Sequence, residues 1–228
     1  MKICLIGCGK MGSSLLEGWS SLKTIKHITI IEPNLDEIPS KLLNIKSFNF
    51  HKTIEEAENF SFDMTILAVK PQVMEVVLKQ ISNLNFRSDS WLSIAAGLTV
   101  KFFENVLGNN QQIIRTIPNT PASIKKGVTA IYFNRNCKNK TINESNLLMK
   151  AVGETIIVED ENLMDAYTAV SGSGPAYIFY FVEAIISAAK EMGINEKNAR
   201  ILAEKTLIGS AYLLENTQVR AQDLRKAV

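Results

Sequence analysis

Three glycines near the amino terminus, Gly7, Gly9 and Gly12 in ICLIGCGKMGSSL, carry the clearest chemical signal in the chain. The spacing is G-x-G-x-x-G. It follows an apolar run and precedes a helical pattern, as the first turn of a βαβ unit requires. Gly7 permits the tight turn, Gly9 has no side chain to hold a pyrophosphate away from the backbone, and Gly12 lets the helix approach the sheet. Free N–H groups at the helix start then face the phosphates. The pattern predicts dinucleotide binding. Glu32 ends the next strand pattern, twenty residues past Gly12. A carboxylate there accepts hydrogen bonds from both ribose hydroxyls and repels a 2′-phosphate, which favours NADH over NADPH.

Further candidates sit where later strands end, the edge at which open α/β sheets bind ligands. AVKPQ, Ala68 to Gln72, brings Lys70 towards ribose or phosphate. AAG, Ala95 to Gly97, is small enough to leave room for a nicotinamide ring. IPNTP, Ile117 to Pro121, presents Asn119 and Thr120 from a loop stiffened by two prolines.

The elements that must position these residues follow from periodicity. KICLIG, HITIIE, IKSFNF, DMTILAV, SWLSIAA and QQIIRTI read as strands. GSSLLEGWSSL, PQVMEVVLKQIS and TVKFFENVLG read as helices between them. NLDEIPSKLLN is a helix broken at Pro39. GVTAIYF and ETIIVED, separated by the helix KTINESNLLMKAVG, finish the sheet at one edge. The expectation is an α/β fold, a doubly wound and mostly parallel sheet with helices on both faces. Past Asp160 no strand pattern remains, so a boundary near Glu159 separates residues 1–158 from a helical domain, residues 159–228. In GPAYIFYFVEAIISAAKEMG the apolar residues go nearly all round the helix. Such a helix must be buried on every side. About 70 residues of helix cannot do that alone, which predicts packing against a second copy of the chain.

The chain has 228 residues, is 46% hydrophobic and 21% charged, and carries a net charge of +2. That balance gives no reason to expect nucleic acid or an anionic membrane as partner. Cys4, Cys8 and Cys137 have no metal-like spacing and read as buried thiols in a reducing compartment. With only His27 and His51, no zinc site is expected. The amino terminus does not read as a signal peptide. Glu183 and Lys190 interrupt the longest apolar helix, so no membrane span is expected and the cytoplasm is the expected location.

The strings IGCGKMG, AVKPQ, SIAAG, IRTIPNTP and above all DAYTAVSGSGPAY resemble the pyrroline-5-carboxylate reductase family. They are ordered and spaced over residues 3 to about 177. The resemblance implies a Rossmann-type domain followed by an all-helical dimerisation domain, with dimers often gathered into a decamer. It implies hydride transfer from NADPH or NADH to the C=N carbon of 1-pyrroline-5-carboxylate, giving L-proline. Carried over by position, Ile6, Gly7, Cys8, Gly9, Lys10 and Met11, with Ala68, Val69, Lys70 and Pro71, would contact the cofactor, as would Ala96. Glu161 matches an acid near the substrate, where it would favour a protonated ring nitrogen. Where many members have a small polar residue that receives the 2′-phosphate, this chain has Glu32.

The segment Ser171, Gly172, Ser173, Gly174 and Pro175 reads as a tight joint between the two domains. Its glycines would supply backbone angles and close packing, one serine would cap the next helix, and its N–H groups would help hold a substrate carboxylate. The family continues past the position matching Ala227-Val228 into a TSPGG-type loop that holds that carboxylate. The sequence stops before it, as a piece of a longer protein or as a protein lacking part of that site. Two alternatives stand beside the reductase. One is a non-catalytic, nucleotide-binding oligomeric module. The other is a β-hydroxyacid dehydrogenase, whose lysine, four residues after the last glycine of its own G-x-G segment, would fall on Ile178.

Overall fold

The computed structural model describes residues 1–228, with Glu37 described by its backbone alone. The chain forms two compact units, Met1–Ser173 and Gly174–Val228. The division lies beyond the change of composition near Glu159, because the residues between still pack on the sheet: Met164 is buried with Ile117, Ala130 and Val158.

The first unit runs β1 (Lys2–Ile6), α1 (Lys10–Trp19), β2 (His27–Ile31), α2 (Ser40–Leu43) and β3 (Phe48–His51). It continues β4 (Ser61–Phe62), β5 (Met64–Leu67), α3 (Pro71–Ser82), β6 (Arg87–Ser88), β7 (Ser90–Ser93), α4 (Val100–Leu107) and β8 (Gln112–Ile117). β9 (Gly127–Phe133), α5 (Asn139–Lys150), β10 (Gly153–Ile157) and α6 (Met164–Tyr167) complete it. Eight strands form one sheet in the order β10-β9-β8-β7-β5-β1-β2-β3. The β8–β9 pair is antiparallel, and the other pairs of this sheet are parallel. β4 and β6 pair separately as a two-stranded ribbon that the apolar pattern did not announce.

Strand alternation sends successive side chains to opposite faces. In β1, Ile3 and Leu5 join Leu15, Leu16, Trp19, Leu148 and Met149 beneath α1 and α5. Cys4 and Ile6 join Met74, Leu78, Ile81 and Phe103 beneath α3 and α4. The Trp19 indole N–H donates to the Leu148 carbonyl at 2.9 Å and ties α1 to α5. Pro71 begins α3, where its missing N–H leaves no bond unmade. Thr99 caps α4 through its hydroxyl, and Gly108, at φ +102°, stops it. The expected break at Pro39 separates a 3₁₀ turn, Leu35–Glu37, from α2. From β3 the chain returns to β5 on the far side of β1, so the order reverses there. The crevice at this switch point is where an open α/β sheet takes its ligand.

The second unit contains α7 (Gly174–Glu191), α8 (Glu196–Thr217) and α9 (Ala221–Lys226). Gly193, at φ +91°, turns the chain between α7 and α8, and the Asn195 side chain caps α8 by accepting from the Asn198 N–H at 2.9 Å. Within this unit the buried described residues are Ala189, Ala199 and Ala203. Phe179 is 64% exposed and Tyr180 73%. The helix expected to be buried all round is covered within this unit only where it meets α8, at Ala189.

Candidate functional site

The glycine turn is built as its spacing demands. Gly7 has φ +93°, and a Cβ on it would lie 2.7 Å from the Ala68 carbonyl oxygen. A Cβ on Gly12 would lie 2.5 Å from the Gly7 carbonyl oxygen, whereas one on Gly9 would meet nothing within 4 Å. The turn is thus closed on the sheet side at Gly7 and Gly12 and open outward at Gly9. The Gly7 N–H donates to Ile31 O at 2.9 Å and pins the turn to the end of β2. No side chain caps α1 and no acid occupies its first turn. Its leading N–H groups are left for an anion.

Glu32 stands at the rim. One carboxylate oxygen accepts the Cys8 N–H at 2.7 Å and the other the Asn34 N–H at 3.0 Å. The Cys8 thiol is pushed up to about 12 by burial and then by the Glu32 charge, so it stays protonated. Cys4 is likewise raised by burial.

A cavity of about 600 Å³ opens beside the turn. Ile6, Gly7, Gly9, Glu32, Ala68, Val69 and Lys70, all expected from sequence, line it. Cys8, Lys10, Met11, Gly12 and Pro71 belong to the same turn and helix starts but do not line the cavity. Ala96 is exposed on the loop after β7 and also lies outside it. Lining residues that the sequence reading missed come from three places: Ile31 and Pro33 on either side of Glu32, Lys52 to Glu55 after β3, and, on α3, Val73, Val77 and Gln80. The latter are spaced i, i+4, i+7, a second stripe on a helix whose core stripe is Met74, Leu78 and Ile81. That second stripe was the available signal.

Asn119 is 8% exposed. Its amide nitrogen donates to Ser171 O at 3.1 Å and its oxygen accepts the Val128 N–H at 2.9 Å. Expected to face the cofactor, its side chain clips the end of β8 to β9 and to the Ser171 segment. Glu161 also has protein partners. Its Oε1 accepts from Arg115 Nη1 and from the Val100 N–H, both at 2.6 Å. Arg115 is 3% exposed in β8. The Tyr132 hydroxyl, beside this pair, has its pKa raised by burial and then by the Glu161 and Asp160 charges.

The Ser171–Gly174 segment departs from its expected form. Residues Thr168–Gly172 form a π-turn, closed by the Ser173 N–H to Thr168 O at 2.8 Å. π-turns of this kind concentrate at functional sites. The Ser171 hydroxyl donates to Tyr167 O at 2.9 Å rather than capping α7. Neither Gly172 nor Gly174 has positive φ. Gly172 packs closely: a Cβ would lie 3.1 Å from Ile117 Cγ2, tighter than most such contacts. A carboxylate therefore cannot be held by the Ser173 N–H, which is already bonded.

The fold and the glycine cradle define an NAD(P)H-dependent oxidoreductase. Residues 2–97 match a family model described as NADP oxidoreductase, coenzyme F420-dependent. Residues 161–228 match the model for pyrroline-5-carboxylate reductase dimerisation. Among curated relatives, pyrroline-5-carboxylate reductase of Haemophilus influenzae is 33% identical, over 99% of this chain and 83% of its own length. That of Methanosarcina acetivorans is 33% identical over 100% and 84%. Among solved structures, a pyrroline-5-carboxylate reductase from Coxiella burnetii superposes with a TM-score of 0.84 at 29% identity, covering 98% of this chain and 83% of that one. The Plasmodium falciparum pyrroline carboxylate reductase with NADP bound superposes at 0.82 with 25% identity, covering 100% and 84%. The chain belongs to the pyrroline-5-carboxylate reductase family.

Proposed function

We propose that this chain reduces 1-pyrroline-5-carboxylate to L-proline, the last step of proline biosynthesis, and prefers NADH to NADPH as the donor. The observation that carries the reading is a glycine cradle open at Gly9 beside a carboxylate fixed by two backbone N–H groups, in a chain whose helical part matches the family's dimerisation segment. When bound, the cofactor supplies the hydride. Gly7, Gly9 and the first N–H groups of α1 hold its pyrophosphate. Glu32 receives the ribose hydroxyls and rejects a 2′-phosphate by charge. Lys70, at the start of α3 and on the cavity wall, offsets phosphate charge. Ala96 leaves space for the ring at the end of β7. Holding ring and imine together is the protein's main contribution to rate.

The assembly we propose is a dimer through α7 and α8, five of which make a decamer in the cytoplasm, bound to neither membrane nor nucleic acid. By length and apolarity alone, the stretch Glu161–Glu191 would suffice to cross a membrane. The match of residues 161–228 to a dimerisation model supports burial in a second subunit instead.

The test mixes purified protein with pyrroline-5-carboxylate and either NADH or NADPH and follows loss of reduced-nicotinamide absorbance. Turnover, faster with NADH, is expected. Nucleotide binding without any turnover would replace the reductase by a non-catalytic binding module.

A further inference from the structure

The β7–α4 loop, Ile94–Thr99, is an exposed arch with fixed feet. At one end the Ala95 N–H donates to the Ser93 hydroxyl at 3.1 Å. At the other, the Val100 N–H, the first of α4, donates to Glu161 Oε1 at 2.6 Å. Between the feet, Ala96 and Gly97 are exposed, and Gly97 takes φ +77°. The second foot depends on a side chain from 61 residues away. That side chain is held in turn by Arg115, which lies on β8 opposite Ser93 of β7. The Arg115 side chain is 4% exposed and that of Glu161 25%. Arg115 Nε is buried and has no hydrogen-bond partner among the described residues.

We propose that Arg115 and Glu161 are a positioning pair: the buried guanidinium holds the carboxylate against the α4 amino terminus, and this fixes the height of the Ala96 arch, which would border the nicotinamide when a cofactor is bound. The inference rests on residues 1–173 being the cofactor unit. It gives Glu161 a different task from the electrostatic partner of a substrate cation. The charge of Glu161 is matched at 2.6 Å by a cation, so little of its field is left for a ligand. Removing Glu161 leaves a buried guanidinium unpaired, which is far worse than removing both charges together. The α4 amino terminus also loses the anion that its N–H groups favour.

This chemistry separates three variants. Glu161→Gln keeps an oxygen for Val100 but strands Arg115, so the cofactor KM rises about tenfold with a smaller change in kcat. Arg115→Met takes away the hold on Glu161 but leaves its oxygen able to reach Val100, so the cofactor KM rises less, by about threefold. The double variant Arg115→Met/Glu161→Gln removes both charges and keeps the acceptor, and it returns to the level of Arg115→Met alone. The pH profile of kcat/KM stays that of the unaltered protein throughout. Hydrogen exchange of the unliganded protein supplies a readout independent of turnover. Amides of residues 94–100 exchange faster in Glu161→Ala, while those of β1 and β2 do not change. An unchanged cofactor KM in Arg115→Met, a double variant as impaired as Glu161→Gln, a shifted pH profile, or unchanged exchange at residues 94–100 would each overturn the pair's positioning role. If the unaltered protein bound neither NADH nor NADPH, the cofactor reading itself would fall, an outcome that exchange alone cannot produce.

Discussion

Glu32 is held by two backbone N–H groups before any ligand arrives, so its charge is already in place at the rim. A 2′-phosphate must enter against it, while a ribose hydroxyl can donate to it. Glu32→Ser is expected to raise the ratio of kcat/KM for NADPH to that for NADH at least about tenfold, since juxtaposed like charges cost several kcal/mol. An unchanged ratio in steady-state assays would place the selectivity elsewhere on the cavity wall, where Lys52 and Lys70 are cations. Gly12 tests the cradle itself. With a Cβ 2.5 Å from a backbone oxygen, Gly12→Ala forces the turn to move. It is expected to abolish cofactor binding and to lose about 1–3 kcal/mol in urea unfolding, the usual range for overpacking. Both residues were legible in the sequence, because each answers a requirement of the backbone turn or of strand-end charge that residue type and spacing encode. Asn119 and Glu161 were legible as candidates but not in their bonding, because their partners lie 52 and 46 residues away in the chain.

Elements show a similar division. α3 was clear from its periodicity and from Pro71, but its two apolar stripes look like one wide stripe in sequence. Packing separates them. Met74, Leu78 and Ile81 go into the core, and Val73, Val77 and Gln80 face the cavity. Val73 is 46% exposed, so Val73→Asp is expected to leave the melting temperature within a few degrees of the unaltered protein. It should weaken NADH and NADPH alike by about tenfold, because an acid then borders a cavity that takes a polyanion. Fluorescence titration with each cofactor checks this, and a loss confined to one of them would contradict the assignment of this face. The π-turn at Thr168–Gly172 was invisible in sequence for a different reason. It is closed by the Ser173 N–H to Thr168 O, a five-residue bond that no residue type announces, and Gly172 within it packs near Ile117 of β8.

For the whole molecule, the second unit sets the terms. With three buried alanines among its described residues, it has too little interior to be stable unaided. The match of residues 161–228 to a dimerisation model points to another copy as the source of its stability, so melting is expected to depend on protein concentration. Phe179→Asp changes a side chain that is 64% exposed within its own chain. Folding of an isolated chain would tolerate it, but assembly would not. Sedimentation should show monomer for this variant and a dimer, or a multiple of one, for the unaltered protein; identical assembly of the two would remove α7 from the interface. The sequence by itself determined the alternation of strands and helices, the glycine cradle, the acid at the end of β2 and the change to helices after Asp160. These are local properties, written in periodicity and in the backbone needs of particular residue types. Only the tertiary structure decided which polar groups meet: Glu32 with the turn N–H, Asn119 with Ser171, Arg115 with Glu161. Those meetings depend on strand order and register, which bring together groups that no sequence spacing relates.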